Sequence, residues 1–410
     1  MRILIISQWF NPEPFFKGLP FAQELVRLGH EVEVLTGFPN YPGGELYEGY
    51  KIKPFQREII DGISILRVPL YPSHDSNSLK RIVNYVSFAM SSAVIGPFLT
   101  KQPDIVYVYH PPVTTGLTAL VFHWIKKVPF VYDIQDLWPD TLGTTGMLDS
   151  QAAFWMIHKW CHLIYAQAAK IVVLSPGFKR VLMSRGVPSS KIEVIYNWSN
   201  EISHLDYYHD DELKKSLGFS GRFNILFAGT MGKAQSLDTI LDAAKLIIDR
   251  IPKVQFVFIG GGIEVDRLKK RTRDLELSNV IFLPRRPLDE INQILKLADV
   301  LMVHLKDDPL FEITIPSKTQ AYLAAGKPIL MAMKGDSADL IKKADAGLVC
   351  NPQDSESIAA SIEKFIQLPK EQMLKMGRNG MRFYKNELNL KVGVKKFIEV
   401  FRSVIKNQNS

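Results

Sequence analysis

Two cysteines in 410 residues, Cys161 and Cys350, are too few and too widely separated for a disulfide framework or a cysteine-ligated zinc site. That scarcity fits a reducing compartment. No low-complexity tract and no repeat of solenoid period occurs, which excludes fibrous and repeat architectures. The basic residues are dispersed, and no RNP, KH or zinc-finger spacing is present, so a nucleic-acid module is excluded. HExxH, GxSxG and the P-loop are missing too, removing the commonest metalloprotease, serine hydrolase and NTPase readings. The opening MRILIISQ meets Gln8, Asn11 and Glu13 before a signal-peptide core can form, so cytoplasmic synthesis is expected.

What is present is a globular composition, 46% hydrophobic and 22% charged, in a chain too long for one core. The net charge of +8 fits an anionic partner or a solvated basic surface. Val- and Ile-rich runs alternate with helical patterns: RILIIS, HEVEVLT, ISILRVPL, DIVYVYH, VPFVYDI, KIVVLS and KIEVIYN. Strands of this kind, without polar alternation, are covered on both faces, which predicts a mostly parallel sheet between helices. The polar stretch HLDYYHDDELKKSLGFSGR interrupts the alternation, which restarts with FNILFAG, VQFVFIGG, NVIFL, ADVLMVH, PILMAM and AGLVC. The expected class is therefore α/β, with two doubly wound Rossmann-like domains facing a central cleft. The expected boundaries are 1–200, a linker at 201–220, a second domain at 221–390, and a C-terminal helix at 391–410 returning to the first.

The most informative stretch is FEITIPSKTQAYLAAGKPILM, residues 311–331, read as a loop, a short helix, a glycine stop and a buried strand. Pro316 and Ser317 suit the N1 and N-cap positions, Gly326 a C′ cap, and Lys318 adds a cation where backbone N–H groups face an anion. AGTMGKAQSLD, 228–238, repeats the plan with Lys233 and Gln235. Gly18 follows the first strand at a helix start, where its missing side chain would admit a phosphate. His110 ends DIVYVYH and is expected to project into the cleft rather than the core. YDIQDLWPD, 132–140, gathers Asp133, Asp136, Trp138 and Asp140 at a strand end, where acids readily bind sugar hydroxyls. IGGG at 259–262 lacks the full dinucleotide fingerprint and reads as a turn device. Arg285 and Arg286 follow NVIFLP, either facing the cleft or solvated.

In order and spacing, GHEVEVLT, His110, DLWPD, AGTMGKAQ, IGGG and IPSKTQAYLAAGKPIL resemble the family 4 glycosyltransferases, retaining enzymes of the GT-B fold. The resemblance spans essentially the whole chain. GFPNYPGG, DLWPD, GKAQ and IPSK are most similar to the bacterial branch that adds N-acetyl-L-fucosamine and related sugars during O-antigen, capsule and exopolysaccharide assembly. It implies a UDP-sugar donor, a polyprenyl-diphosphate-linked saccharide acceptor and no metal or other cofactor. The implied catalytic set is His110, Asp136, Lys233, Lys318 and Glu312. The implied donor-binding set is Gly18, Gly229, Gly232, Gln235, Arg286, Ile315, Ser317 and Gln320. Four positions depart from the family: its paired glutamates fall at Ile313 and Ala321, with Glu312 one residue away, and its glycine-loop arginine and lysine fall at Thr230 and Gln235. Lys233 and Lys318 are then the candidate diphosphate cations. A UDP-sugar 2-epimerase and a non-catalytic partner subunit are the alternatives.

Residues 82–100, IVNYVSFAMSSAVIGPFLT, hold no formal charge. Their length touches the threshold for a membrane span, but Asn84, Ser87, Ser91, Ser92 and Pro97 favour a packed or interfacial helix. Trp124, Lys126, Lys127, Trp155, Lys159 and Trp160 mix aromatics with cations, as anionic membrane surfaces prefer. Peripheral attachment at the inner face of the plasma membrane is expected.

Overall fold

A computed structural model describes residues 1–73, 78–144, 150–199 and 211–408. The chain divides into two compact units: the first comprises Met1–Leu174, Phe178–Ile195 and Val394–Ser410, and the second Ser175–Gly177 and Tyr196–Gly393.

The first unit holds β1 (Arg2–Ile6), β2 (Glu31–Gly37), β3 (Gln56–Ile60), β4 (Ile63–Val68), β5 (Ile105–His110), β6 (Phe130–Ile134), β7 (Lys170–Val173) and β8 (Ile192–Val194). Their order across the sheet is β3-β4-β2-β1-β5-β6-β7-β8. All neighbours pair in parallel except β3, which runs antiparallel to β4. β3, QREII, carries no continuous apolar run because it is an edge strand whose side chains alternate between part-buried and exposed. The two-residue turn Asp61-Gly62, with both residues at positive φ, closes that hairpin. The interior strands are buried nearly throughout, as Val and Ile runs between two helical layers require.

The second unit holds β9 (Phe223–Thr230), β10 (Val254–Gly261), β11 (Val280–Leu283), β12 (Val300–His304), β13 (Ile329–Ala332) and β14 (Gly347–Cys350), ordered β11-β10-β9-β12-β13-β14 and wholly parallel. Alternate residues feed two cores: Leu226, Val257 and Ile259 on one face of the sheet, and Ile225, Phe227, Phe256 and Phe258 on the other. Strand order reverses at β1/β5 in the first sheet and at β9/β12 in the second. At such switch points adjacent loops leave in opposite directions and open a crevice at the carboxyl ends of the strands.

The expected linker at 201–220 lies outside the described residues as far as 210. The remainder belongs to the second unit: a helix, Asp211–Ser216, leads to Leu217 and Phe219, which are buried in its core. The last helix, Leu390–Gln408, buries Val394, Phe397, Phe401 and Val404 at helical spacing. Phe397 lies 5.3 Å from the Phe21 ring and 5.5 Å from that of Tyr107, so this segment completes the first unit.

Candidate functional site

In the second unit, the end of β9 contains Gly229, the residue before its last, whose φ of 136° an L side chain rarely adopts. The loop continues through Gly232, a short 3-10 turn at Lys233–Gln235 and left-handed Ser236 into the helix Asp238–Ile247. A Cβ on Gly260 would lie 2.0 Å from the Gly229 carbonyl oxygen, and one on Gly262 2.3 Å from that of Met231. The IGGG run therefore lets the end of β10 press backbone to backbone against the glycine loop.

The helix Ser317–Ala325 points its first turn toward the same loop. Pro316 is its N-cap and Ser317 its first residue, the reverse of the sequence expectation, because Pro316 holds the extended backbone a cap requires. Gly326 ends it in the left-handed conformation. The Tyr322 hydroxyl accepts the N–H of Ala228 at 2.8 Å, clamping the helix to the end of β9. Sequence reading passed over Tyr322 because its partner is 94 residues away. Lys318 Nζ lies 3.5 Å from the centroid of the Phe227 ring, and 3.4 Å from where a Gly229 Cβ would stand. That ammonium is shielded from solvent and has no hydrogen-bond partner among the described residues. Burial lowers its pKa from 10.5 to about 7. An unpaired buried cation is costly, and an anion at the helix N-terminus beside Gly229 would relieve that cost.

Lys233 lines a cavity of about 270 Å³ with Gly232, Ser236, Asp238, Glu264 and Lys306. Arg267, on the same wall, is committed to Asp238 and Glu264. Other expected donor contacts are structural. Gln235 accepts the Gly232 N–H through Oε1 at 2.9 Å, closing its own loop, while its carbonyl meets His304 Nδ1 at 2.6 Å. His304 Nε2 accepts the Gln353 N–H at 3.1 Å, so the ring is neutral, with Nδ1 as its donor. Gln320 is buried, and its amide, oriented to pair its donor, bonds the carbonyls of Pro316 and Ser317. The Ile315 side chain lies in the core. Arg286 is exposed and pairs with Glu290 at 3.3 Å; its neighbour Arg285 comes within 3.8 Å of where a Gly261 Cβ would stand. Arg285 therefore replaces Arg286 as the arginine at the strand edge. The Glu312 carboxylate is exposed, with no hydrogen bond or ion pair among the described residues, while its backbone packs against Gly335.

In the first unit, His110 closes β5 but does not project outward as expected. It is 1% exposed, packed 5.6 Å from the Trp138 and Tyr132 rings, and burial pushes its pKa down to about 3. The ring is thus neutral near pH 7, and both nitrogens are shut from solvent with no partner among the described residues. Asp133 is fully buried and paired with Lys17; it also accepts the Tyr107 hydroxyl at 2.6 Å and the Gln135 amide at 2.6 Å. Asp136 remains available: its carboxylate has no hydrogen bond among the described residues, and burial raises its pKa. Gly18 caps the helix Leu19–Arg27, but Asn11 Oδ1 takes the Leu19 N–H at 2.8 Å. A Cβ on Gly18 would lie 2.6 Å from that oxygen, so the close approach this glycine permits is to Asn11.

Two family models cover most of the chain: the glycosyl transferase 4-like domain matches residues 19–198, and glycosyl transferases group 1 matches residues 209–383. This chain belongs to the GT-B glycosyltransferases. The putative colanic acid biosynthesis glycosyl transferase WcaI of Escherichia coli (strain K12) is 25% identical over 390 residues, spanning 90% of this chain and 93% of that protein. The probable glycosyltransferase WbjE of Pseudomonas aeruginosa is 27% identical over 254 residues, 61% of each chain. Among solved structures, Anabaena Alr3699/HepE in complex with UDP-glucose superposes with a TM-score of 0.70 at 16% identity, covering 98% of this chain and 100% of that one. WaaG, a glycosyltransferase involved in lipopolysaccharide biosynthesis, gives 0.66 at 14% identity, covering 97% and 99%. These likenesses establish the fold of this glycosyltransferase and place its glycine loop and its 317–325 helix in the group 1 half.

Proposed function

We propose that this glycosyltransferase moves a sugar, an N-acetylated or 6-deoxy hexosamine, from a UDP-sugar to a lipid-linked saccharide with retention of configuration, in bacterial surface polysaccharide assembly. The observation that carries the donor half is the buried, unpartnered Lys318 ammonium at the start of the helix Ser317–Ala325, beside Gly229. A diphosphate there meets one positive charge and the free N–H groups of a helix start, both aimed at the charge that grows as the bond from C1 to the phosphate oxygen breaks. The acceptor hydroxyl oxygen bonds to C1, and its proton passes to the departing phosphate oxygen. No metal takes part in this scheme, in which Lys318 and Lys233 carry the charge. The UDP complexes of the Anabaena protein support a uridine donor.

The lipid half rests on an exposed apolar face of the first unit. The helix Leu79–Leu99 is long and apolar enough to cross a membrane, yet 39% of its most apolar 18-residue stretch is buried within the unit. Val94 and Phe98 on it, Trp124 and Ile125 on the helix Thr115–Lys126, and Trp155 and Met156 on the helix Gln151–Gln167 are all exposed. Lys127 and Lys159 are exposed beside them, and Trp160 instead turns inward to the Val113 carbonyl. Partial burial with an aromatic and basic rim suits a helix lying on an anionic membrane, here the cytoplasmic face of the plasma membrane. The test is UDP release from a panel of UDP-sugars, with and without membrane lipid extract. Release from one donor, increased by the extract, is expected; epimerised UDP-sugar without acceptor, or UDP binding with no release from any donor, overturns the reading.

A further inference from the structure

We propose that His304, the last residue of β12, is a positioning residue for the donor: its imidazole holds the glycine loop 229–236 at the distance from the helix Ser317–Ala325 that a diphosphate requires. The inference rests on the transferase reading above and adds to it a side chain closed to substrate, since His304 is fully buried.

Both ring nitrogens bond backbone from other segments. Nδ1 donates to the Gln235 carbonyl at 2.6 Å, and Nε2 accepts the Gln353 N–H at 3.1 Å. A backbone N–H can only donate, so Nε2 is bare and Nδ1 carries the proton. Burial holds the ring's pKa below its ordinary 6.5, against the bond to Gln235, and the charge of Lys318 acts in the same direction as burial. One neutral ring therefore joins the loop after β9 to the loop after β14, from a strand that lies between those two in the sheet. The Gln353 end is itself braced. Its Oε1 accepts the Asp307 N–H at 2.8 Å, and Asp307 pairs with Lys334 at 2.6 Å.

The glycine loop needs such a tie because Gly229 and Gly232 give it no side chain to pack at those positions. Its first half is held to the end of β10: the Met231 N–H donates to the Gly261 carbonyl at 2.8 Å, and the Glu264 N–H donates to the Met231 carbonyl at 3.1 Å. Its second half is held to the end of β12, where the Lys306 N–H donates to the Ala234 carbonyl at 2.9 Å and His304 holds Gln235. Gln235 in turn accepts the Gly232 N–H through Oε1 at 2.9 Å. A movement of Gln235 therefore carries Gly232 and Lys233 with it.

Lys318 Nζ stands 3.4 Å from where a Gly229 Cβ would lie, so the loop and the helix start face each other at close range. A diphosphate between them is gripped from both sides only if the loop keeps its place. Misplacement of bound groups by about 1 Å costs on the order of 100-fold in rate. The neutral tautomer serves the same end, because a protonated ring would add a second buried cation within electrostatic reach of Lys318. Side chains that fix a binding loop from behind in this way set the geometry without entering the chemistry.

Two substitutions separate positioning from packing, because an asparagine amide reaches the place of Nδ1 and a glutamine amide that of Nε2. His304→Asn keeps a donor for Gln235 and gives up Gln353, whereas His304→Gln keeps an acceptor for Gln353 and releases the glycine loop. Each leaves one backbone group without its partner, so both should lower the unfolding midpoint by similar amounts. UDP binding by calorimetry and kcat/KM for the UDP-sugar are then measured on the full chain. We expect His304→Gln to bind UDP about tenfold more weakly and to lose on the order of 100-fold in kcat/KM, while His304→Asn, the conservative variant, rescues both to within about threefold of the wild type. Gln235→Ala, at a half-buried position that folding tolerates, cuts the loop's inner tie and should weaken UDP binding to a similar degree as His304→Gln. Equal losses in the two His304 variants, losses that follow the unfolding midpoint rather than the bond retained, or wild-type UDP affinity in Gln235→Ala would overturn the proposal. A wild type that binds UDP but turns over no UDP-sugar refutes the transferase reading alone, since the ranking of UDP affinities still decides the role of His304.

Discussion

Replacing Lys318 with methionine should make the protein more stable and far less active. Methionine reaches about as far as the lysine Cε, so most of the stem's packing stays, while the ammonium that lies 3.5 Å from the Phe227 centroid and its charge are removed. Burial lowers the Lys318 pKa from 10.5 to about 7. Because the folded value lies below the unfolded one, the unfolded chain binds more proton, and stability rises with pH between about 7 and 10.5. At about 1.4 kcal/mol per pKa unit, the unliganded fold carries a penalty of about 4 kcal/mol at pH 7. Water entry trims that figure, so Lys318→Met should gain at least about 1 kcal/mol at pH 7, or about 2–4 °C in Tm for a unit of this size. The gain should shrink toward pH 10 as the wild-type lysine no longer pays to lose its proton. Turnover of the UDP-sugar should fall on the order of 100- to 1,000-fold, the usual cost of removing one donor to a developing charge. Thermal unfolding at pH 7 and pH 10, with UDP release on the same samples, checks both. Turnover within threefold of wild type, or a destabilised variant, would refute the reasoning.

The same burial predicts that UDP binding at pH 8 takes up close to one proton per site, since a diphosphate restores the charge on Lys318. Calorimetry in buffers of different ionisation enthalpy reads this uptake, and an apparent enthalpy independent of buffer refutes it. Lys17→Met should lower stability by about 3–5 kcal/mol, because it strands the fully buried Asp133 carboxylate on the Tyr107 and Gln135 hydrogen bonds alone. Urea unfolding measures that loss, and a loss below about 1 kcal/mol would refute the reasoning.

The two-sheet architecture is legible in the sequence because it rests on periodicity. Thirteen of the fourteen strands carry Val- and Ile-rich runs that stand out from the helices between them, and strands covered on both faces leave no other reading. The helix after Pro316 is legible for a similar reason: a proline before it and a glycine after it are local signals whose meaning does not depend on distant residues. β3 escapes because an edge strand with one solvated side needs no apolar run.

Residue roles are less legible, since a role depends on what arrives from elsewhere in the chain. Gln235 reads as reach toward a ligand until its amide oxygen is seen closing its own loop, and Arg286 reads like Arg285 until one pairs with Glu290 and the other meets Gly261. His110 ends its strand as expected, yet Trp138 and Tyr132 cover it. By itself, then, the sequence determined the α/β class, the strand order in the chain and the presence of a cation at a helix start, all set by short-range pattern. Only the tertiary structure decided that Lys318 is buried without a partner, that Lys17 meets Asp133 across 116 residues, and that Trp9, Tyr41 and Tyr85 share one surface. Burial and pairing are properties of contacts between distant segments, and those contacts exist only once the sheets have assembled.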